Sequence, residues 1–420
     1  MPSGRRAFCL VDGRAAKLVA VQTPVVRLKS TAVASWVASV LVLVIAFWLR
    51  ATVPGSAAGC VSRFDGRVDY FSDKSAPRFA RAFSVEYHRH YKIVTVRDPW
   101  RGAVEPLRYV LVQCGTPVPA GFPRARVIQV PVSSVAVLST THLPLLEKLG
   151  LLDTLVAVAD PELIHSEAIQ QRLRSGRIAT VGKEAAIDVE RLLELQPQLV
   201  TAFAISPDTD DFPRLTASGL KVVLNAEYRE NTPLGRSEWL KFLALFFNKE
   251  ALANRLFDGI VQRYSERARL VRGITHRPTV FAGFAMKDSW YVPGGKSYLA
   301  RFLADAGADY LWATNPETGG VPLSFEAVYE RAADAEFWLG GSLNWRSIQD
   351  VIAEDSRYNR LRAVRQRRVY NDNLRLNPAG GNDYWQGGIV NPDLILSDLI
   401  RIFHPERLPG YELVYYRPLK

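Results

Sequence analysis

Residues 61–126 alternate apolar and polar positions, most clearly in FSVEYHRHYKIVTV at 83–96 and RYVLVQC at 108–114, with Pro and Gly between the runs. A period of two sends successive side chains to opposite faces of a strand, so this stretch predicts a hairpin or small sheet. From residue 127 the rhythm changes. Short apolar runs (VIQVPVSSVAV, LVAVAD, LVTAFA, KVVLNAE) alternate with stretches whose apolar residues recur every three or four positions. One such stretch starts at Thr141 and ends at Gly150, a second opens at Asp188, and a third ends near Gly219. The alternation predicts a parallel sheet covered by helices, one α/β lobe over 127–235.

Residues 236–272 hold no proline and carry Leu240, Leu243, Phe246, Leu256, Phe257, Ile260 and Tyr264 at helical spacing. One helix of about 50 Å fits this stretch and would join two lobes; Asn248 is also placed to cap a second segment. The strand–helix alternation then restarts and predicts a second α/β lobe over 277–408. The tail, 409–420, is expected to pair back with the 61–126 sheet. Two stretches echo each other. In DVERLLELQPQLV (188–200) and SFEAVYERAADAEFWL (324–339) a capping residue stands two positions before a glutamate, and an amphipathic helix and an apolar run follow. Glu190 and Glu326 therefore sit in first helical turns, where the helix dipole keeps a carboxylate ionised at a defined spot.

With 420 residues, 48% of them hydrophobic, the chain can bury one large core or two ordinary ones. Charged residues of mixed sign make up 23%, which excludes a disordered chain. The net charge of +11 would suit nucleic acid, but no RNP, zinc-knuckle or basic-helix pattern accompanies it. Part of the excess is local: Arg5, Arg6, Arg14, Lys17, Arg27 and Lys29 oppose only Asp12 ahead of the uncharged run 31–49. That run is long enough to span a bilayer, and the basic leader orients it. VPGSAAGC, ending at Cys60, resembles a bacterial lipoprotein signal with Cys60 as the lipidated residue. Arg50, Ala57 and the gap between the run and the cysteine depart from that pattern, so an uncleaved anchor helix is the alternative reading of 1–60. Both readings tether residues 61–420 to the outer face of the cytoplasmic membrane. With Cys9 in the leader and Cys60 taken, Cys114 is expected to stand alone. No zinc spacing exists, and His88 and His90, two apart on a strand face, have no third ligand nearby.

In this order the elements resemble the class III (helical-backbone) substrate-binding proteins of ABC importers, the group for iron–siderophore complexes, haem and vitamin B12. The residues that carry the likeness are VAVLSTTHLPLLEKLGLLDTLVAV (135–158), TVG (180–182), DVERLLELQPQLV, SGLKVVL (218–224) and LSFEAV (323–328). Residues 70–96 are similar to the extended N-terminal segment of a branch associated with iron complexes. The resemblance implies an α/β fold of two lobes bridged by one long helix, with a β-rich N-terminal extension and a ligand in the interlobe cleft. It implies that Glu190 and Glu326 dock into arginine pockets on the two subunits of a permease driven by its ATPase. It also implies no catalysis and no resident cofactor or metal. An iron chelate is the expected cargo; cobalamin (a corrinoid) or haem carried in the same way, and a ligand sensor, are the alternatives.

In such folds ligands meet loops at the carboxyl ends of strands. Those loops here are STTHL with Thr140 and His142, the residue Phe203, EYREN with Arg229, MKDSWYVPGGKSY with Trp290, Tyr291 and Lys296, LNW with Trp345, and GGNDYWQGG with Tyr384 and Trp385. Aromatic walls suit a large planar or greasy chelate, and cations suit its anionic donors. His142 lacks the companions that a bare metal would need. VPGGKS is not a phosphate loop, because Pro293 supplies no N–H. An extracytoplasmic enzyme would have to work from Glu227, Asp288 or Asp383, with no G-x-S-x-G or H-E-x-x-H pattern to support it.

Overall fold

The computed structural model describes residues 60–183, 186–206, 211–287 and 289–420. The leader and the apolar run 31–49 lie outside the described residues, as does Asp288. The alternating stretch folds as antiparallel β1 (Phe83–Tyr87), β2 (Tyr91–Val96) and β3 (Leu107–Gln113), to which β4 (Val127–Val130) adds in parallel. Phe83, Val94, Val96 and Leu111 are buried in the core beneath this sheet. His88 and His90 lie in the β1–β2 turn and not on a strand face; His88 stacks on Tyr91 and His90 packs edge-on against Phe64.

Cys114 does not stand alone. It closes a disulfide with Cys60, 54 positions away, and the Val61 N–H donates to the Cys114 carbonyl at 2.8 Å. In this structure Cys60 is therefore a half-cystine, a role the sequence reading had not given it. Spacing arithmetic missed the pair because it assigned Cys60 to a processing signal.

The first lobe has a parallel sheet in the order β11–β10–β5–β6–β7. Its strands are β5 (Val135–Val137), β6 (Leu155–Val158), β7 (Ala179–Thr180), β10 (Leu199–Ala202) and β11 (Val222–Leu224). A small hairpin, β8 (Gly182–Lys183) with β9 (Ala186–Ile187), precedes the helix Val189–Leu195. Every residue of β5, β10 and β11 is buried, as expected for strands with helices on both faces.

The connecting stretch is helical but turned. Short helices at Pro233–Ser237 and Trp239–Ala244 precede a left-handed Asn248 (φ 51°, ψ 47°), and the helix Glu250–Arg269 follows. Asn248 is held in that conformation from outside: its Nδ2 donates to Gln113 Oε1 at 2.9 Å, and its Oδ1 accepts from Lys92 Nζ at 2.9 Å. Trp239, Phe242 and Phe246 belong to the first lobe's core, whereas Phe257, Ile260 and Tyr264 belong to the second's. The N-terminal extension grips the same stretch. Buried Glu238 accepts the N–H groups of Arg78, Phe79 and Ala80 at 2.8, 2.6 and 2.9 Å, and buried Glu230 accepts those of Arg81 and Ala82 at 2.9 Å each. Charge-assisted bonds of this kind are about twice as strong as neutral ones.

The second lobe has the order β15–β12–β17–β18–β19, from β12 (Thr279–Ala282), β15 (Asp309–Tyr310), β17 (Phe337–Gly340), β18 (Val369–Asn371) and β19 (Arg417–Pro418). A separate antiparallel sheet holds β13 (Phe284–Met286), β14 (Ser289–Pro293) and β16 (Gly320–Leu323). The tail pairs with β18 of this lobe and not with the extension. Asp398 sets that path: it accepts the N–H groups of Val414, Tyr415 and Tyr416 at 2.9, 2.6 and 2.9 Å.

Candidate functional site

At the carboxyl ends of the second lobe's strands lies a cavity of about 420 Å³, within the range of small-molecule sites. Its walls include Tyr291, Tyr298, Asp372, Tyr384, Trp385 and Tyr416, and Arg236 reaches it from the bridging stretch. Each is placed by a local device. Ser297 caps the helix Tyr298–Asp305 through its Oγ, which puts Tyr298 in the first turn. Thr232 caps Pro233–Ser237 in the same way and sets Arg236 one turn on. The returning tail delivers Tyr416, and Asn382 caps the 3-10 turn that holds Tyr384 and Trp385.

The Arg236 guanidinium lies 3.9 Å from the Tyr298 ring centre and 5.8 Å from that of Trp385. Its Nη2 donates to the Tyr228 carbonyl at 3.1 Å, while its buried Nε has no hydrogen-bond partner among the described residues. A buried donor left unsatisfied costs about 1–3 kcal/mol. Burial pushes the Asp372 carboxyl, also in the lining, up to about 7. Behind Arg236, a buried acid balances the charge. Glu227 accepts from Thr141 Oγ1 at 2.7 Å, and its Oε2 lies 3.4 Å from His142 Nε2. Burial alone would raise the Glu227 carboxyl, but His142, Thr141 and Arg236 outweigh it and hold it below the usual value.

Of the residues singled out in the sequence, Tyr291 and Trp385 line this cavity, together with Tyr384. Trp290 and Trp345 are outside this cavity's lining. Both are 1% exposed: Trp290 packs among Phe281, Trp338 and Tyr358, and Trp345 packs on Trp338 and donates to Glu354 at 2.7 Å. In both cases the ring was needed for the core. Arg229 is committed elsewhere, bound to Asp98 of the extension through Nε at 3.0 Å and Nη2 at 2.5 Å. Lys296 is exposed and outside the cavity lining, as are half-buried Thr140 and Phe203, the latter edge-on to Tyr228. His142 is wholly buried, with Nδ1 3.4 Å from Thr201 Oγ1. Arg236, Tyr298, Asp372 and Tyr416 were missed; the cap Thr232 and the aromatic run at 415–416 were the signals available.

Glu190 and Glu326 are both exposed in first helical turns, each helix capped by the preceding residue but one, Asp188 or Ser324. The helices follow β9 and β16 in their respective lobes. Glu326 pairs with Arg357 at 3.1 Å. Asp355 holds that same guanidinium at 2.7 Å, and its own carboxyl is lowered by the bond.

The periplasmic binding protein family model matches residues 135–374, more than half of the chain. An uncharacterized lipoprotein of Methanocaldococcus jannaschii is 28% identical over 304 residues, 69% of this chain and 70% of that protein. Among solved structures, a possible iron-binding (periplasmic solute-binding) protein from Staphylococcus epidermidis superposes with a TM-score of 0.52 at 17% identity, covering 65% of this chain and 98% of that one. A periplasmic heme-binding protein from Pseudomonas aeruginosa gives 0.51 at 18% identity, over 69% and 96%. The two parallel-sheet lobes, the helical bridge and the matched residues together make this chain a member of the periplasmic binding protein family, with the helical-backbone (class III) architecture.

Proposed function

We propose that this protein is the membrane-tethered, extracytoplasmic substrate-binding component of an ABC importer, and that it holds an iron chelate in the cavity beneath Arg236. The observation that carries the reading is the buried guanidinium of Arg236, stacked over the Tyr298 ring with Trp385 beside it and left with an unpaired donor. Cation and aromatic wall suit a large ligand whose metal is wrapped by anionic oxygen donors. The cargo named for the Staphylococcus epidermidis and Pseudomonas aeruginosa proteins, iron and heme, supports the same chemistry. Glu190 and Glu326 are the docking points for the permease subunits. The tether is either the apolar run 31–49 or a lipid on Cys60; the Cys60–Cys114 pair favours the first and the lipoprotein relative the second.

The test is a tryptophan-quenching titration with a ferric trihydroxamate, a ferric tricatecholate, haemin, cyanocobalamin, Zn(II) and Mn(II). A ferric chelate is expected to bind in the micromolar range or tighter, with no turnover. Tightest binding of haemin or cyanocobalamin would move the cargo to that class. Binding of Zn(II) or Mn(II) alone would overturn the chelate reading.

A further inference from the structure

Trp385 is 42% exposed, the most open aromatic ring of the cavity wall, yet its neighbour Gln386 is 4% exposed. The buried amide of Gln386 does not serve its own lobe. Its Oε1 accepts the His165 N–H at 3.0 Å, and its Nε2 donates to the Leu163 carbonyl at 2.8 Å, both on the first lobe. Two more bonds cross beside it. His165 Nε2 lies 2.8 Å from the Gly381 carbonyl, which can only accept, so Nε2 carries the proton. Asn377 Nδ2 donates to the Glu162 carbonyl at 2.8 Å. The turn that reaches across is built in advance: Asn377 Oδ1 accepts the N–H groups of Ala379 and Gly381 at 3.1 and 2.8 Å. Gly381 then lies so close to the other lobe that a Cβ would stand 2.1 Å from the Leu163 carbonyl oxygen.

We infer that residues 377–386 form a second strap between the lobes, and that Gln386 and His165 are positioning residues that set Trp385 against the bound cargo without touching it. Next to this segment, Ile389 and Val390 pack in the first lobe's core and Ser237 Oγ donates to the Ile389 carbonyl at 2.5 Å, so the chain crosses between the lobes here as well as at the bridging helix. Four hydrogen bonds from this short segment to residues 162–165 of the other lobe tie the two lobes beside Trp385. Because Gln386 is bonded to Leu163 and His165 from both ends of its amide, the backbone of Trp385 is fixed one residue away. This inference rests on the cavity beneath Arg236 being the cargo site, and its test separates the two.

The experiment uses the full chain with Gln386→Ala, His165→Ala and, as the conservative partner, His165→Gln, which keeps a side-chain donor. Hydrogen exchange is read on peptides covering 161–165 and 377–386, and acrylamide quenching of Trp385 is taken as the difference from a Trp385→Phe background. In Gln386→Ala both peptides are expected to exchange faster together, although 223 positions separate Gln386 from Leu163, and Trp385 becomes more quenchable. The affinity for the tightest ferric chelate of the panel falls about threefold to thirtyfold, mainly through faster release. His165→Gln recovers part of the effect of His165→Ala. Unchanged exchange and quenching in both alanine variants would overturn the strap. Changed exchange and quenching with unaltered chelate affinity would keep the strap and overturn the cargo site beside Trp385.

Discussion

Lys92 is wholly buried, and its amine sits beside the buried carboxylate of Glu250. It donates to Glu250 Oε1 at 2.6 Å, to the Leu245 carbonyl at 2.7 Å and to Asn248 Oδ1 at 2.9 Å, and it lies 4.5 Å from the Phe71 ring centre. One side chain of the N-terminal extension thus holds the turn that ends the first-lobe helices and the residue that begins the long helix. Lys92→Met keeps the length of the stem, so the cavity left behind is small. What is lost is the partner of Glu250, which is itself 3% exposed. Removing one member of a buried pair costs about 3–5 kcal/mol. For a chain of 420 residues that lowers the unfolding midpoint by roughly 3–6 °C. Differential scanning calorimetry and guanidinium unfolding of the same preparation measure it. Lys92→Met with Glu250→Leu is expected to regain most of the loss, because an apolar pair of similar volume carries no desolvation penalty. A single variant within about 1 kcal/mol of the parent, or a double variant no better than the single one, would refute the account of the extension as a clamp on the bridge.

Asp372→Asn is expected to flatten the pH dependence of stability. The folded-state pKa is raised from 3.8 to about 7, so the native chain holds a proton that the unfolded chain releases, and stability falls as pH rises from about 4 to 7. The full shift corresponds to about 4 kcal/mol and, for a side chain partly open to the cavity, nearer 1–2 kcal/mol; melting curves at pH 4 and pH 8 give the difference. The double variant Glu190→Ala/Glu326→Ala should bind the ferric chelate as the parent does and lose uptake by at least tenfold, a loss of about 1.4 kcal/mol of docking; uptake equal to the parent's would remove both residues from the docking face. Cys60→Ser should stay membrane-associated while its stability drops by about 2–4 kcal/mol. Non-reducing peptide mapping of the parent should recover Cys60 joined to Cys114, and release of Cys60→Ser from the membrane would restore the lipid-anchor reading.

Much of the lobe architecture could be read from periodicity. The fully apolar runs VAV and LVTA became central parallel strands, and the paired caps Asp188 and Ser324 placed Glu190 and Glu326 in exposed first turns. What could not be read depends on partners far away in sequence. The turn at Asn248 needs Gln113 and Lys92, and the return of the tail to β18 needs Asp398. The cleft residues divide on the same ground. Trp290, Trp345 and Tyr298 are equally suited to a wall or a core by composition; only the packing of Phe281, Trp338 and Tyr358 sends the first two inward. Arg229 and Arg236 are both arginines near one loop, and what separates them is Asp98, which takes the first and leaves the second to the cavity.

The central claim is that cargo sits beneath Arg236, and equilibrium titration of a ferric chelate against Arg236→Ala, with exposed Lys296→Ala as the control, tests it most directly. Loss of one charge-assisted hydrogen bond in a buried setting predicts about tenfold to hundredfold weaker binding by Arg236→Ala and parental affinity for Lys296→Ala. Parental affinity in Arg236→Ala, with the fold intact by circular dichroism, would contradict it.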